Sequence, residues 1–353
     1  MPAADLNRDC GVKEGNKTKF GLFALFQALP KESAPEKLDE LLAQVRAAKR
    51  YGLDSILVGQ HYLSTPYQML QPMPLLGRIA TEAEGMRIGT GITLLPLLNP
   101  VAVAEEAATM DVICRGRFIL GVGLGYREVE DSAFGVKREE KARKLGEALE
   151  VIKLLWEGKE IDFRGKSFQL RNARIGVRPV QNPRPPIWIA GNDDRAVVRA
   201  ARLGDAWLVN PHASLTTLIK QVRKYEHSLM DAGKPFPSEF PIIREAYVAR
   251  DDDGAFGEVR PYLEAKYKTY TAWGQESAFP EEDPLTRPLS ELAVDRFVIG
   301  SPSKCVEDLS RFVEKLGVNH IILRMSWPGM KHTSVVESMR IFSERVLPYF
   351  RGR

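Results

Sequence analysis

The sequence predicts a parallel α/β protein, best fitted by a (β/α)₈ barrel, and three observations carry that expectation. Short apolar segments alternate with longer amphipathic ones along nearly the whole chain. Eight apolar segments can be counted, each followed by a helical pattern. Two of them break into glycine-rich residues just before a helix: Gly116 to Tyr126, reading GRFILGVGLGY, and Trp188-Ile189-Ala190-Gly191-Asn192. Parallel α/β proteins open ligand sites in this way at the carboxyl ends of their strands. Glycine lets the backbone come close to a ligand, and the next helix offers free N–H groups to an anion. An open doubly wound sheet with an extra lobe is the alternative; the even spacing of eight units favours the barrel.

The elements follow in order. Residues 20–26 form a first apolar strand. Ser33-x-x-Glu36 reads as a capping box with Pro35 in the first turn. Leu38, Leu41, Leu42 and Val45 recur at helical spacing until Gly52 stops them. Residues 55–58 are a second strand, 74–84 a helix, and 87–95 a third strand followed by a helix over 101–113. The fourth strand spans 117–122. A long helix over 139–157 carries Leu145, Leu149, Ile152 and Trp156 on one stripe and ends at Gly158. Residues 161–186 hold Gly165, Gly176, Pro179, Pro183, Pro185 and Pro186 and read as a hairpin-like insertion with an extended linker. Strands at 187–190, 205–209 and 243–249 follow, separated by helices at 195–203 and after the cap Ser214. A helix, a Pro- and acid-rich loop over 279–288 and a helix over 302–316 lead to strand eight at 320–324 and a closing helix over 335–346. The domain reading is a flexible tail over 1–18 and one barrel over 19–353. That barrel carries insertions after strands four and seven, near 158–186 and as a candidate lid over 273–300.

Bulk properties exclude several classes. The chain has 353 residues, 44% hydrophobic and 27% charged, enough for a full core. Its net charge of +4 is too even, and its basic residues too dispersed, to point to nucleic acid. Cys10, Cys114 and Cys305 are distant and odd in number, which argues against a disulfide framework or a zinc site and fits a cytoplasmic protein. The N-terminus lacks a signal-peptide core, and no segment reaches the ~20 apolar residues of a membrane span. Gly165-Lys166-Ser167 lacks the upstream glycine of a phosphate loop, because Glu160 stands there. Gly121-x-Gly123-x-Gly125 fails the dinucleotide spacing. There is no nucleophile elbow, and no His pair has metal-ligand spacing, so no metal is expected.

Among five histidines, His61 follows strand two and His212 strand six, so both belong on the rim where a barrel does its chemistry. His61, with Gln60, Tyr62 and Tyr67 around it, is the catalytic candidate. Trp188 and Trp207 lie within strands and read as core. Trp327, beyond strand eight, is the better candidate for a pocket wall.

These segments together resemble the bacterial-luciferase-like flavin-dependent oxidoreductases from Lys19 to the C-terminus. The resemblance rests on six pieces in order. They are Gly59-Gln60-His61-Tyr62; residues 87–96 with Asn99-Pro100; residues 104–111; residues 116–126 with Phe134-Gly135; Ala190-Gly191-Asn192; and Gly204-Asp205-Ala206-Trp207. It implies a (β/α)₈ (TIM) barrel binding reduced flavin at its strand C-termini, with a non-proline cis peptide at Gly91–Ile92 facing the flavin ring. The cofactor contacts it implies are Gly91, Ile92, Gly123, Leu124, Gly125, Tyr126, Ala190, Gly191, Asn192, Asp194 and Arg195. Two departures stand out. Leu124 replaces the Arg that FMN users often carry, so Arg127 or Arg195 is expected to compensate. Gln60 replaces an acid before His61.

The activity implied is a monooxygenase in which free reduced FMN arrives from a separate flavin reductase. O2 then adds to the ring as a flavin 4a-hydroperoxide, and His61 orients it or moves protons. Glu105-Glu106 resembles the FMN branch. The alternative is a deazaflavin-dependent reductase or dehydrogenase on the same fold, which Leu124 keeps open. A flavin-free binding protein is disfavoured by the intact glycine rim and His61. A homodimer through the helices after strands two and three is implied by the family; the organic substrate is not specified.

Overall fold

The structure, a computed structural model, describes residues 17–352. Residues 1–16, where nearly all of the expected tail and Cys10 fall, lie outside the described residues. β1 (Lys19–Phe23) leads to α1 (Ala34–Arg50), where the Ser33 hydroxyl accepts from the Glu36 N–H and Leu41, Leu42 and Val45 are buried. β2 (Ser55–Val58), α2 (Pro72–Glu82), β3 (Arg87–Thr90), β4 (Thr93–Leu94) and α3 (Pro100–Ile113) follow. Next come β5 (Phe118–Gly123), α4 (Glu128–Ala133) and α5 (Lys141–Trp156). β6 (Ile161–Arg164) and β7 (Gln169–Ala173) pair antiparallel as a separate hairpin. Alternation resumes with β8 (Ile187–Ala190), α6 (Asp194–Leu203), β9 (Ala206–Leu208), α7 (Leu215–Asp231) and β10 (Pro241–Val248). α8 (Asp252–Ala272), α9 (Leu289–Ala293), β11 (Val298–Gly300), α10 (Pro302–Leu316), β12 (His320–Arg324), α11 (His332–Arg345) and α12 (Leu347–Arg351) complete the chain.

Among the described residues the main sheet runs β11-β10-β12-β1-β2-β3-β5-β8-β9, with β4 beside β5. All of its pairings are parallel. The sheet curls. Val209, just beyond β9, donates to Pro241 at 3.0 Å and accepts from Ile243 at 2.8 Å, so the β9 edge meets β10. Parallel strands alternating with helices bury both sheet faces, hence the nearly continuous apolar strands. One core fills the space between sheet and helices, including Phe20, Val45, Leu76, Leu120, Leu149 and Ile321. A second lies on the concave face, where Phe23, Leu57, Ile119, Trp188, Leu208, Ile243 and Ile322 meet.

Beneath that inner core the amino ends of the strands carry a polar floor. His320 Nε2 is 2.7 Å from Ser55 Oγ, and its Nδ1 is 3.0 Å from Glu239 Oε1. Glu239 also pairs with Lys19 at 2.9 Å and with Arg87. Burial alone would raise the Glu239 carboxyl, but His320 and Arg87 hold it well below the usual carboxylate range. Burial pushes His320 below the usual histidine value, against the upward pull of Glu239.

Three differences from the sequence reading matter. The third strand does not run unbroken: it stops at Thr90, and pairing resumes at Thr93 around a cis Gly91–Ile92 peptide. The short α4 precedes the long α5, which starts at Lys141 after a single tight turn at 138–140. β11 is an additional strand of three residues on the outer edge of β10, too short to show a period.

Candidate active site

The carboxyl ends of the strands open onto a cavity of about 330 Å³. That lies at the small end of the ordinary range for ligand pockets. Several strand exits contribute: Gln60 and His61 after β2, Gly91 and Ile92 between β3 and β4, Gly123 to Tyr126 after β5, and Ala190 to Asp193 after β8. Asn210 to His212 follow β9, and Arg324 ends β12. Arg138 comes from the turn before α5 and Lys141 from its first residue, Arg199 from α6, Tyr270 from α8, and Gln275, Ser277 and Ala278 from the turn after α8.

Ten of the expected site residues therefore share one cavity: His61, Gly91, Ile92, Gly123, Leu124, Gly125, Tyr126, Ala190, Gly191 and Asn192. Asp194 and Arg195 do not line it. Their side chains are exposed on the outer face of α6, where Asp194 pairs with Lys224. The α6 residues that do line the cavity are Ala196 and, one turn beyond Arg195, the basic side chain of Arg199. Its Nε is buried without a partner, and burial pushes its pKa down. Arg127 is committed elsewhere: it is 4% exposed, donates to the carbonyls of Tyr62 at 2.5 Å and Leu63 at 2.9 Å, and stacks on Trp273. Trp327 does not line the cavity; its indole N–H donates to Glu245 at 2.5 Å. Glu105 and Glu106 lie on α3, away from it.

Two of these glycines are also required by packing. A Cβ on Gly123 would meet Ile92 Cδ1 at 2.3 Å, and one on Gly191 would meet the Ala196 backbone at 2.8 Å. Gly191 thus lets the first turn of α6 sit directly under the cavity.

His61 is held by a carboxylate. Its Nδ1 is 3.0 Å from Glu130 Oε1, which also accepts from the Tyr62 N–H at 2.8 Å. Gln60 does not touch the imidazole. It donates to Tyr62 Oη and Gln71 and accepts from the Leu94 N–H, bracing the β2 exit against the β4 segment. Tyr126 packs edge-on to His61 at 5.6 Å, with a buried hydroxyl that has no partner. Lys141 is neutralised by Asp131 at 2.6 Å. Beside β10 and β12, Glu245 and Lys266 form a fully buried pair at 2.5 Å.

Charged singletons within otherwise regular patterns escaped the sequence reading. Glu130, Arg199 and Lys266 look like solvent-facing residues of amphipathic helices. Arg244-Glu245 inside the apolar β10 was the available signal, because charges in a buried strand need partners.

The family model for luciferase-like monooxygenase matches residues 18–320. The flavin-dependent trigonelline monooxygenase, oxygenase component, of Acinetobacter baylyi is 24% identical over 351 residues, covering 94% of this chain and 95% of its own. The F420-dependent glucose-6-phosphate dehydrogenase of Microbacterium testaceum is 27% identical over 338 residues, 89% of this chain and 94% of its own. Among solved structures, the oxygenating constituent of 3,6-diketocamphane monooxygenase from Pseudomonas putida, in complex with FMN, aligns with a TM-score of 0.78. It is 18% identical, covering 94% of this chain and 98% of that one.

Proposed function

This chain belongs to the luciferase-like monooxygenase family of oxidoreductases, and from that membership we propose that it binds reduced FMN and uses O2 to oxidise a small organic substrate. The observation that carries the reading is the layout of the cavity. Two arginines, Arg138 and Arg199, stand on its β5–β8 side, a carboxylate-backed imidazole at the β2 exit, and glycine-rich apolar wall between.

A flavin fits this donor set. The buried, unpartnered Nε of Arg199 and the backbone N–H groups that start α6 suit a phosphate. Leu124 puts no charge there, so Arg199, with Arg138, takes the role expected of Arg127 or Arg195. Gly91, Ile92, Gly123 to Tyr126 and Ala190 to Asn192 would hold the rest of the cofactor. Bound there, reduced FMN would supply the two electrons that activation of O2 requires.

The protein's own part is proton control and exclusion of water. Glu130 accepts from His61 Nδ1–H, which leaves Nε2 to take a proton from the cavity and return it. Phe23, Leu25, Ile92 and Leu94 line the cavity with apolar surface. Residues 273–300 serve as a lid: Gln275, Ser277 and Ala278 face the cavity, while the buried Asp283–Arg296 pair anchors the segment.

The fold behind this reading is a single (β/α)₈ barrel over 19–353, supported by the parallel sheet and the Val209–Ile242 bridge, with the β6–β7 hairpin as its insertion near 158–186. A separate flavin reductase as FMN donor is supported by the name of the Acinetobacter relative, an oxygenase component. A homodimer through α2 and α3 is supported by Val112 and Ile113, exposed at the end of α3. Among the described residues no helix is long and apolar enough to cross a membrane; we place the enzyme in the cytoplasm.

A second reading, hydride transfer with a deazaflavin coenzyme, is favoured by Leu124 and by the F420-dependent relative. Anaerobic titration of the protein with reduced FMN and with reduced F420 separates the two. The first reading expects FMN to bind about tenfold tighter or more; tighter binding of F420 selects the second.

A further inference from the structure

The cavity holds a second imidazole to which the reading above gives no task. His212 follows β9, lines the cavity and is 3% exposed. Its Nδ1 lies 3.1 Å from Tyr267 Oη and 3.4 Å from Lys266 Nζ, and neither of those residues lines the cavity. The Tyr267 hydroxyl and the N–H groups of Lys266 both point donors toward Nδ1, so Nδ1 accepts and the ring proton sits on Nε2. Nε2 has no hydrogen-bond partner among the described residues and is the nitrogen left for the cavity. The tautomer is the reverse of that at His61, where a carboxylate holds Nδ1–H.

The charge behind His212 is unbalanced. Glu245 pairs with Lys266 at 2.5 Å, accepts from the Trp327 indole at 2.5 Å, and lies 3.8 Å from Arg324 Nε. One carboxylate thus serves two buried basic groups: Arg324, which stays charged, and Lys266, which burial lowers to about 7. Burial first, then Lys266, Arg324, Arg244 and Arg296, push His212 well down, so it stays a neutral donor. Excess buried positive charge is costly without an anion. A fixed N–H donor opening into the cavity in front of it gives an anion a place to sit. Tyr270 stands between the two imidazoles, its ring centroid 6.2 Å from His212 and 6.3 Å from His61, so a ligand reaching from one to the other runs along an aromatic wall.

We propose that this β9–β12 side of the cavity is the anion subsite of the substrate. His212 Nε2–H, with Lys266 and Arg324 behind it, receives an anionic oxygen carried on an aromatic ring, a carboxylate or a phenolate. The proposal rests on the functional reading above only in treating the bound molecule as substrate.

Calorimetric titration of the full-length protein tests it, with benzoate and 4-nitrophenolate as anionic probes and benzamide as the neutral counterpart of benzoate. At least one anion is expected to bind about tenfold tighter than benzamide or better. The tighter of the two identifies carboxylate or phenolate. His212→Phe is expected to abolish the preference, and His212→Asn, which keeps an N–H donor, to retain part of it; thermal melts confirm that both fold. Binding of neither anion in preference to benzamide, including no binding of any probe, overturns the proposal, and this wild-type comparison needs no variant. A preference that survives in folded His212→Phe also overturns it. FMN titration of the same samples keeps the two readings apart. Loss of FMN binding with the anion preference intact contradicts the flavin reading alone; intact FMN binding with no preference contradicts the subsite alone.

Discussion

The Nδ1 of His61 lies 3.0 Å from the Oε1 of Glu130, a carboxylate 69 positions further along the chain. The sequence places Gln60, not an acid, before His61, and the fold supplies the missing acid from α4. Arg127 lies 3.3 Å from the same oxygen, so the carboxylate that orients the imidazole is itself fixed.

His61→Ala is therefore expected to keep the fold and FMN affinity while turnover at saturating reduced FMN falls about a hundredfold. Glu130→Gln, which keeps the shape and loses the charge, is expected to lower turnover by roughly tenfold. Steady-state kinetics beside thermal melts check both. Unchanged turnover in His61→Ala removes His61 from the chemistry.

Arg199→Gln tests the cofactor end. Its buried Nε has no partner to lose, so the melting temperature is expected to hold while FMN affinity falls about tenfold. Gly191→Glu is a poor probe of the same site: any Cβ there meets the α6 backbone at 2.8 Å. That variant is expected to lose stability as well as cofactor. Full FMN affinity in Arg199→Gln puts the phosphate elsewhere.

What the sequence could and could not reveal follows from these cases. Apolar runs such as FILGVG, and helical stripes such as Leu145, Leu149, Ile152, carry their period in adjacent residues, so their elements are legible. His61 is legible because a strand end fixes its position on the rim. Lys266 is not, because on α8 its spacing is that of a solvated residue and only tertiary packing against β10 buries it. Arg195 and Arg199 differ by one helical turn, and which of them faces the cavity depends on how α6 leans on β8. Pairings between distant positions, His61 with Glu130 or Ser55 with His320, leave no local trace.

The lid reading predicts a protease signature. Asp283 is held by Arg296 and by the Ser214 N–H at 2.8 Å. Arg296→Met leaves that carboxylate buried without its cation, at a cost of about 3–5 kcal/mol to the local structure. Limited proteolysis is expected to cut within 276–295 several-fold faster in the variant. In the wild type, reduced FMN plus substrate is expected to slow it. Equal rates with and without ligand, in an enzyme that stays coupled when nicked, contradict closure.

The polar floor at the amino ends of the strands predicts an acid limit to stability. Glu239 is held well below the unfolded carboxylate value of about 4.3, so the unfolded chain binds more protons in acid. The stabilisation is fully present above that value and is lost progressively as pH falls from it towards the much lower folded value. His320, held by burial below its unfolded value, adds a loss below about pH 6.5, where the unfolded imidazole takes up a proton. Melting temperature is expected to fall gently below about pH 6.5 and more steeply below about pH 4.5. Glu239→Gln is expected to be less stable at pH 7 by about 2 kcal/mol and to show a shallower pH dependence below pH 5. A parallel pH dependence in the variant contradicts the role of the floor.

The central claim, that this cavity uses reduced FMN to activate O2, is tested most directly by rapid mixing of the protein–reduced FMN complex with oxygenated buffer. Return of the oxidised flavin absorbance and release of hydrogen peroxide are followed together. The account predicts reoxidation at least about tenfold slower than for free reduced FMN once the flavin is sheltered from water, with peroxide released no faster than the oxidised band returns. Reoxidation at the rate of free flavin, with peroxide appearing at once in equal amount, would contradict it.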